Sequence, residues 1–122
     1  MANKSTIKKF QMVEDGDMSA DITSSITDIT KLDNMGLQIK WDSANAVGVI
    51  SVQISINYDP QINSGDWVDL SFSPSLTQPD SDNGVYAISL NQLPYPWLRI
   101  KYAFGSGAGT FNAWLSAKVI GG

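Results

Sequence analysis

The sequence predicts an all-β protein, and three observations carry that expectation. Apolar and polar residues alternate over Leu37–Trp41, Ile50–Tyr58, Trp67–Phe72, Leu98–Phe104 and Thr110–Val119. Successive side chains of a strand point to opposite sheet faces, so alternation marks a half-buried strand. Clusters of Gly, Pro, Asn and Asp separate these stretches, and such residues favour turns. No segment sustains a convincing helical period. Seven to eight strands with short connections predict a single antiparallel β-sandwich, jelly-roll or immunoglobulin-like, over residues 19–122, preceded by an N-terminal arm or edge segment over 1–18.

In chain order, residues 1–6 read as a polar arm. Ile7 to Val13 follows as an irregular edge strand, as a segment docking on a neighbour, or as a first strand of the sandwich; its alternation is imperfect. Glu14-Asp15-Gly16-Asp17 is a solvated turn, because it lacks the twelve-residue calcium-loop pattern and its closing Glu. Ile22, Ile26 and Ile29 have helix-like spacing, but the β-branched content around them favours short strands broken at Ser24-Ser25. Leu37, Ile39 and Trp41 form one face of the next strand. From Val47 to Tyr58 the inward row is Ile50, Val52, Ile54, Ile56 and Tyr58; the outward row is Ser51, Gln53, Ser55 and Asn57. That uncharged polar row is either a solvated face or a wet contact surface. Val68, Leu70 and Phe72 face inward in the next strand, opposite Trp67 and Asp69. Pro74–Gly84 is the longest loop, and Val85–Leu90 is a strand with Tyr86, Ile88 and Leu90 on one face.

Tyr95–Ile120 reads as a long β-hairpin around Gly105-Ser106-Gly107-Ala108-Gly109. Leu98, Ile100, Tyr102 and Phe104 make the inward row of its first strand; Phe111, Ala113, Leu115, Ala117 and Val119 make that of its second. The Gly-rich segment suits a five-residue turn. A phosphate-binding loop would need a following helix and a Lys at fixed spacing, and the sequence has neither. Ile54 and Leu115 are the expected centres of the core.

Composition limits the chemistry. The 122 residues fit one domain, with 12 acidic against 8 basic side chains and a net charge of −4. That balance argues against nucleic acid as a partner, which calls for a clustered basic patch. With no Cys and no His, there is no disulfide, thiolate metal site, cysteine nucleophile or Ser-His-Asp arrangement. No cofactor or metal is expected. No apolar run is long enough to span a membrane, and residues 1–10 carry charge without the apolar stretch of a secretory signal, so synthesis in a host cytoplasm is expected. Asp66 with Asp69, and Asp80 with Asp82, are the only paired carboxylates worth weighing. They fall in turns and on outer faces, where charges are solvated, and no nucleophile–base set accompanies them, so the protein is not expected to be an enzyme.

Contact residues are the better candidates. Trp67, Trp97 and Trp114 each oppose the apolar row of their own strand. Aromatic rings outside a core mark partner or sugar contacts, or are covered by neighbouring loops. Trp114 could also meet Arg99 or Lys101 across the hairpin as a cation–π pair. Ile7, Phe10 and Met12 are the candidate docking residues of the arm, with Lys8 and Lys9 facing a neighbour's acidic surface.

Several segments resemble small β-sandwich proteins and domains of bacteriophage virions: Asp33–Trp41, Gly48–Ser55, Trp67–Leu70, Trp97–Tyr102, and Gly105–Thr110 closing on Ala117-Lys118. The Arg-x-Lys-Tyr strand with its Gly/Ser turn and terminal Ala-Lys is the most specific part. The resemblance covers roughly residues 20–120 and implies an accessory structural role in capsid decoration, fibre or tail, located on the virion. It implies a homo-oligomer that contacts other virion proteins, and it carries no catalytic residue over. The alternative is a carbohydrate-binding module that takes a glycan for surface attachment.

Overall fold

Among the described residues, nine strands form in the computed structural model: β1 (Ile7–Asp17), β2 (Ile22–Thr23), β3 (Thr27–Asp28), β4 (Leu32–Asp42), β5 (Val47–Ser55), β6 (Val68–Asp69), β7 (Gly84–Leu90), β8 (Trp97–Ser106) and β9 (Thr110–Val119). The structure describes residues 7–30, 32–42, 45–72, 76, 78–90 and 93–119; the polar arm at 1–6 lies outside them. One sheet has the order β1-β9-β4-β7 and the other β2-β8-β5-β6, with β3 also paired to β8. Every pairing is antiparallel. The first half of the chain therefore pairs with the second half in reverse: β1 with β9, β2 and β3 with β8, β4 with β7, β5 with β6. With β2 and β3 taken as one interrupted strand, only β5 to β6 stays within a sheet, and every other connection crosses the sandwich. That winding is a jelly roll.

The expected hairpin is thus corrected. β8 and β9 do not pair with each other: β8 lies against β5 in one sheet and β9 between β1 and β4 in the other. Gly105 and Ser106 still belong to β8, and Gly107–Gly109 is the crossing between sheets. Both strands point their apolar rows into the same core, from opposite sides. Alternation defines the buried face of a strand and says nothing of its hydrogen-bonded neighbour.

Those faces fill the core. Leu37, Ile39, Trp41, Phe111, Ala113, Leu115 and Ala117 come from the first sheet; Ile50, Val52, Ile54, Leu98, Ile100 and Tyr102 come from the second, and all are buried. Each fully buried Leu, Ile or Phe contributes about 1.5–3 kcal/mol of transfer free energy. The Trp41 ring lies over Gly84 and the Tyr102 ring over Gly48, at positions where any Cβ would collide with the ring. Tyr102 and Phe111 stack across the sandwich at 6.3 Å between centroids, joining the two sheets. Phe104 continues the β8 row only at the rim, 41% exposed.

Two further strand expectations are corrected. β5 ends at Ser55, so Ile56 is 70% exposed rather than inward, and Tyr58 joins an outer cluster described below. Ile54 and Ser55 are both buried, which ends the alternation; the Ser55 hydroxyl is satisfied by Asn57 Oδ1 at 3.2 Å. In place of a Trp67–Phe72 strand, β6 is only Val68–Asp69, and Val68 faces solvent while Leu70 and Phe72 pack against the core.

β1 is the edge strand of its sheet, and it shows why its alternation is imperfect. The register steps from Gln11↔Trp114 to Val13↔Ala113, leaving Met12 as an extra residue. Such a bulge breaks the two-residue period, and Met12 and Val13 are both buried. A second shift before Gly16 accompanies Asp15 at φ 49°. Asn112 on β9 clips this bend: its Oδ1 accepts from the Asp15 amide at 2.9 Å and from Gln11 Nε2 at 3.2 Å.

Tyr102 carries a testable consequence. Its hydroxyl is buried and has no hydrogen-bond partner among the described residues. Burial pushes the phenol above its ordinary 10.0. Ionisation therefore favours the unfolded chain. The stability tied to this group is complete below about pH 10 and is lost as pH rises toward the folded-state value. Tyr102→Phe removes the hydroxyl without breaking a described hydrogen bond. It is expected to change stability at neutral pH by less than about 1 kcal/mol and to flatten the loss above pH ~10. Urea unfolding of both proteins at the two pH values checks this.

Candidate interaction surfaces

The three outward tryptophans divide between the two outer faces of the sandwich. Trp114 stands alone on the β1-β9-β4-β7 sheet; Trp67 and Trp97 share the other face. The proposed pairing of Trp114 with Arg99 or Lys101 does not form, because those residues belong to the opposite sheet.

Trp114 borders an open groove of about 490 Å³, with Lys9, Gln38, Ala87 and Ser116 around Gly36. Cross-strand register builds it: Lys9, Ser116, Gly36 and Ser89 make one row, and Gln11, Trp114, Gln38 and Ala87 make the next. The floor is low because Gly36 has no side chain. A Cβ there would meet nothing within 4 Å, and its backbone is not in the left-handed region. Neither steric room nor turn geometry within the chain demands glycine, and glycine weakens a strand. Gly36→Ala is therefore expected to leave stability unchanged or raise it by about 0.5–1 kcal/mol, measured by thermal and urea unfolding.

On the opposite face, Tyr58 lies between two rings, with centroids 5.5 Å from Trp67 and 5.2 Å from Trp97. The Arg99 guanidinium covers Trp67 at 4.2 Å from the ring centroid. Arg99 Nε donates to Gln53 Oε1 at 2.8 Å, and Gln53 Nε2 donates to Asp69 Oδ1 at 2.8 Å. Arg99, Gln53 and Asp69 are register partners on three adjacent strands, so the row is a cross-strand ladder. Partial burial lowers the Arg99 pKa from its ordinary value, an effect the Tyr58 phenol opposes. The group stays cationic. The rings and the guanidinium pack on one another, so this cluster ties β5, β6 and β8 together.

The arm residues are placed as follows. Met12 is 4% exposed in the chain's own core, so it cannot reach a neighbouring subunit as expected. Phe10 is half-buried against that core, and Lys9 is exposed at the groove. Ile7 pairs through its backbone with Lys118; its side chain, like that of Lys8, lies outside the described residues. The paired acids do not converge on a cleft. Asp66 accepts from Asn57 Nδ2 at 2.9 Å, Asp69 from Gln53, and Asp82 from the Asp80 amide at 3.3 Å. Among the described residues no group of three acidic, His or Cys side chains is placed to hold a metal. Sequence reasoning missed Tyr58, whose parity assigned it to the core, and Gly36, because Asp33-Asn34-Met35-Gly36 reads as a turn while β4 in fact runs through it from Leu32.

No protein-family model matches the chain, and no curated protein sequence matches it. Solved structures similar to this chain include two of viral or prophage origin. One is the SPBc2 prophage-derived protein YomS, with TM-score 0.57, 7% identity, and coverage of 95% of this chain and 97% of that one. The other is a chain of the infectious bursal disease virus Gx strain structure, with TM-score 0.56, 11% identity, and coverage of 98% of this chain and 33% of that one. At such identities the likeness is one of fold, and the fold this chain shares with a prophage-derived protein and with a virus protein is the all-β sandwich.

Proposed function

We propose that the chain is a non-enzymatic structural protein of a bacteriophage virion, a decoration, fibre or tail accessory component that works by burying surface at subunit contacts. The fold carries this reading: this chain winds as a jelly roll, and its likeness to the prophage-derived protein covers 95% of this chain and 97% of that one. Jelly rolls recur in viral capsid domains. Exposed apolar residues support it: Ile56 and Val68, 70% and 60% exposed, line one groove with Tyr95. Such surface is stabilised when a partner covers it.

The Trp114 groove favours a second reading, a carbohydrate-binding module. An indole face beside an ammonium, an amide and a hydroxyl, over an open floor, suits a sugar ring. Jelly rolls also serve as lectin domains. Negative-stain imaging of the purified protein beside a glycan-binding screen separates the two. Regular oligomers without glycan binding are expected. Monomers whose glycan binding is lost in Trp114→Ala would establish the second reading.

A further inference from the structure

The two free edges of the β1-β9-β4-β7 sheet are built differently. β1 is guarded: it carries Lys8, Lys9, Glu14, Asp15 and Asp17, and two register shifts bend it. In the other sheet, the part of β5 that the two-residue β6 does not reach is also closed. The Gln78 amide accepts from the Ile50 amide and donates to its carbonyl, and Pro79 O accepts from Gly48. Charges, bulges and covering groups are the usual devices that stop strands from pairing with foreign chains.

Among the described residues β7 has none of these devices. Its seven residues, Gly-Val-Tyr-Ala-Ile-Ser-Leu, contain no charge and no proline. Its register with β4 runs unbroken from Met35↔Leu90 to Trp41↔Gly84. It ends the sheet, and among the described residues no strand covers its outer side. Val85 and Tyr86 are 57% and 37% exposed on it. A flat uncharged edge of this length presents unpaired amides and carbonyls to any strand of matching length.

We infer that β7 pairs antiparallel with β7 of a second copy about a two-fold axis at Ala87, joining two four-stranded sheets into one of eight strands. Charge selects both the partner strip and the direction. Each copy carries a net −4, so self-association is favoured where the contact strip is uncharged, as β7 is. Parallel pairing would set Asp80 and Asp82 of one copy beside those of the other. The antiparallel two-fold puts the two Asp82 residues ten strand steps apart, about 34 Å, well beyond the ~8 Å screening length. A two-fold contact also needs only one patch, used twice. In this register Val85 of one copy stands opposite Ser89 of the other, and Tyr86 opposite Ile88.

The inference rests on the structural reading above for its premise that copies associate. Sedimentation of the wild-type chain over a concentration series, with two double variants, tests it. All substituted side chains are exposed, and circular dichroism is expected to be unchanged. Val85→Lys with Ser89→Lys sets like charges opposite each other at both ends of the pairing, and the dissociation constant is expected to rise roughly tenfold or more. Val85→Lys with Ser89→Glu sets opposite charges there, and association is expected to persist. A wild-type dimer disrupted only by the first variant supports the two-fold. An oligomer equally stable in both variants overturns the β7 contact and leaves the structural role standing. A wild-type chain that stays monomeric at every concentration overturns the inference along with its premise of self-association.

Discussion

Replacing Phe111 with alanine is expected to lower stability by about 3–5 kcal/mol. Phe111 is fully buried. It sits between Gly16 and Trp41 in register and stacks on Tyr102 of the opposite sheet. Removing the ring deletes a contact that bridges the sheets and leaves a cavity that Gly16, its neighbour in register, has no side chain to fill. Small domains have only about 5–15 kcal/mol of net stability, so the loss is a large fraction of the total. Phe104→Ala is the control. At 41% exposure on the rim, it is expected to cost less than about 1 kcal/mol. Urea unfolding of both variants decides the matter, and equal losses would mean the β8–β9 crossing is wrongly placed.

Gly107→Ala is the second large effect, expected at about 2–5 kcal/mol. Gly107 has φ 78°, a conformation that costs an L-residue ~1–2 kcal/mol. A Cβ there would also collide with the backbone carbonyl of Asn45, in the neighbouring crossing from β4 to β5. Overfilling a tight site costs ~1–3 kcal/mol more. The two crossings lie against each other, and the Ala108 amide donates to Asn45 Oδ1 at 3.1 Å. A simple hairpin turn at Gly105–Gly109 would meet no such carbonyl, and alanine would then cost only the φ term. The size of the loss in chemical denaturation therefore distinguishes a sheet crossing from a hairpin.

That distinction marks how far the sequence could be read. Leu98, Ile100 and Tyr102 alternate cleanly, as do Phe111, Ala113 and Leu115, and all six are buried. The buried face of a strand is a local property written in every second residue. The choice of hydrogen-bonded neighbour is not local. Two inward rows joined by a glycine-rich segment suit a hairpin and a crossing equally well, because both bury the same side chains. Ile56 and Tyr58 were misplaced for a related reason: nothing in their parity signals that β5 stops at Ser55. The bulge in β1 likewise hides Met12, a core residue, from a two-residue count.

The surfaces were legible to a similar depth. The outward direction of Trp97 and Trp114 follows from parity, whereas Trp67 precedes the two-residue β6 and is placed by its contacts with Tyr58 and Arg99. Which of them share a face depends on sheet membership. Trp67 and Trp97 meet Tyr58 and Arg99, whereas Trp114 lies across the sandwich. The groove at Gly36 arises from side chains on β1, β4, β7 and β9, four strands distant in sequence, and no single window contains it.

The proposal of a virion structural protein is tested most directly by quantitative mass spectrometry of density-purified particles from the host that carries this gene. The account predicts that peptides of this chain co-purify with the particles at many copies each, in fixed ratio to the coat protein. Particles that are complete and infectious yet lack the chain, with the protein recovered only in the soluble lysate, would contradict it.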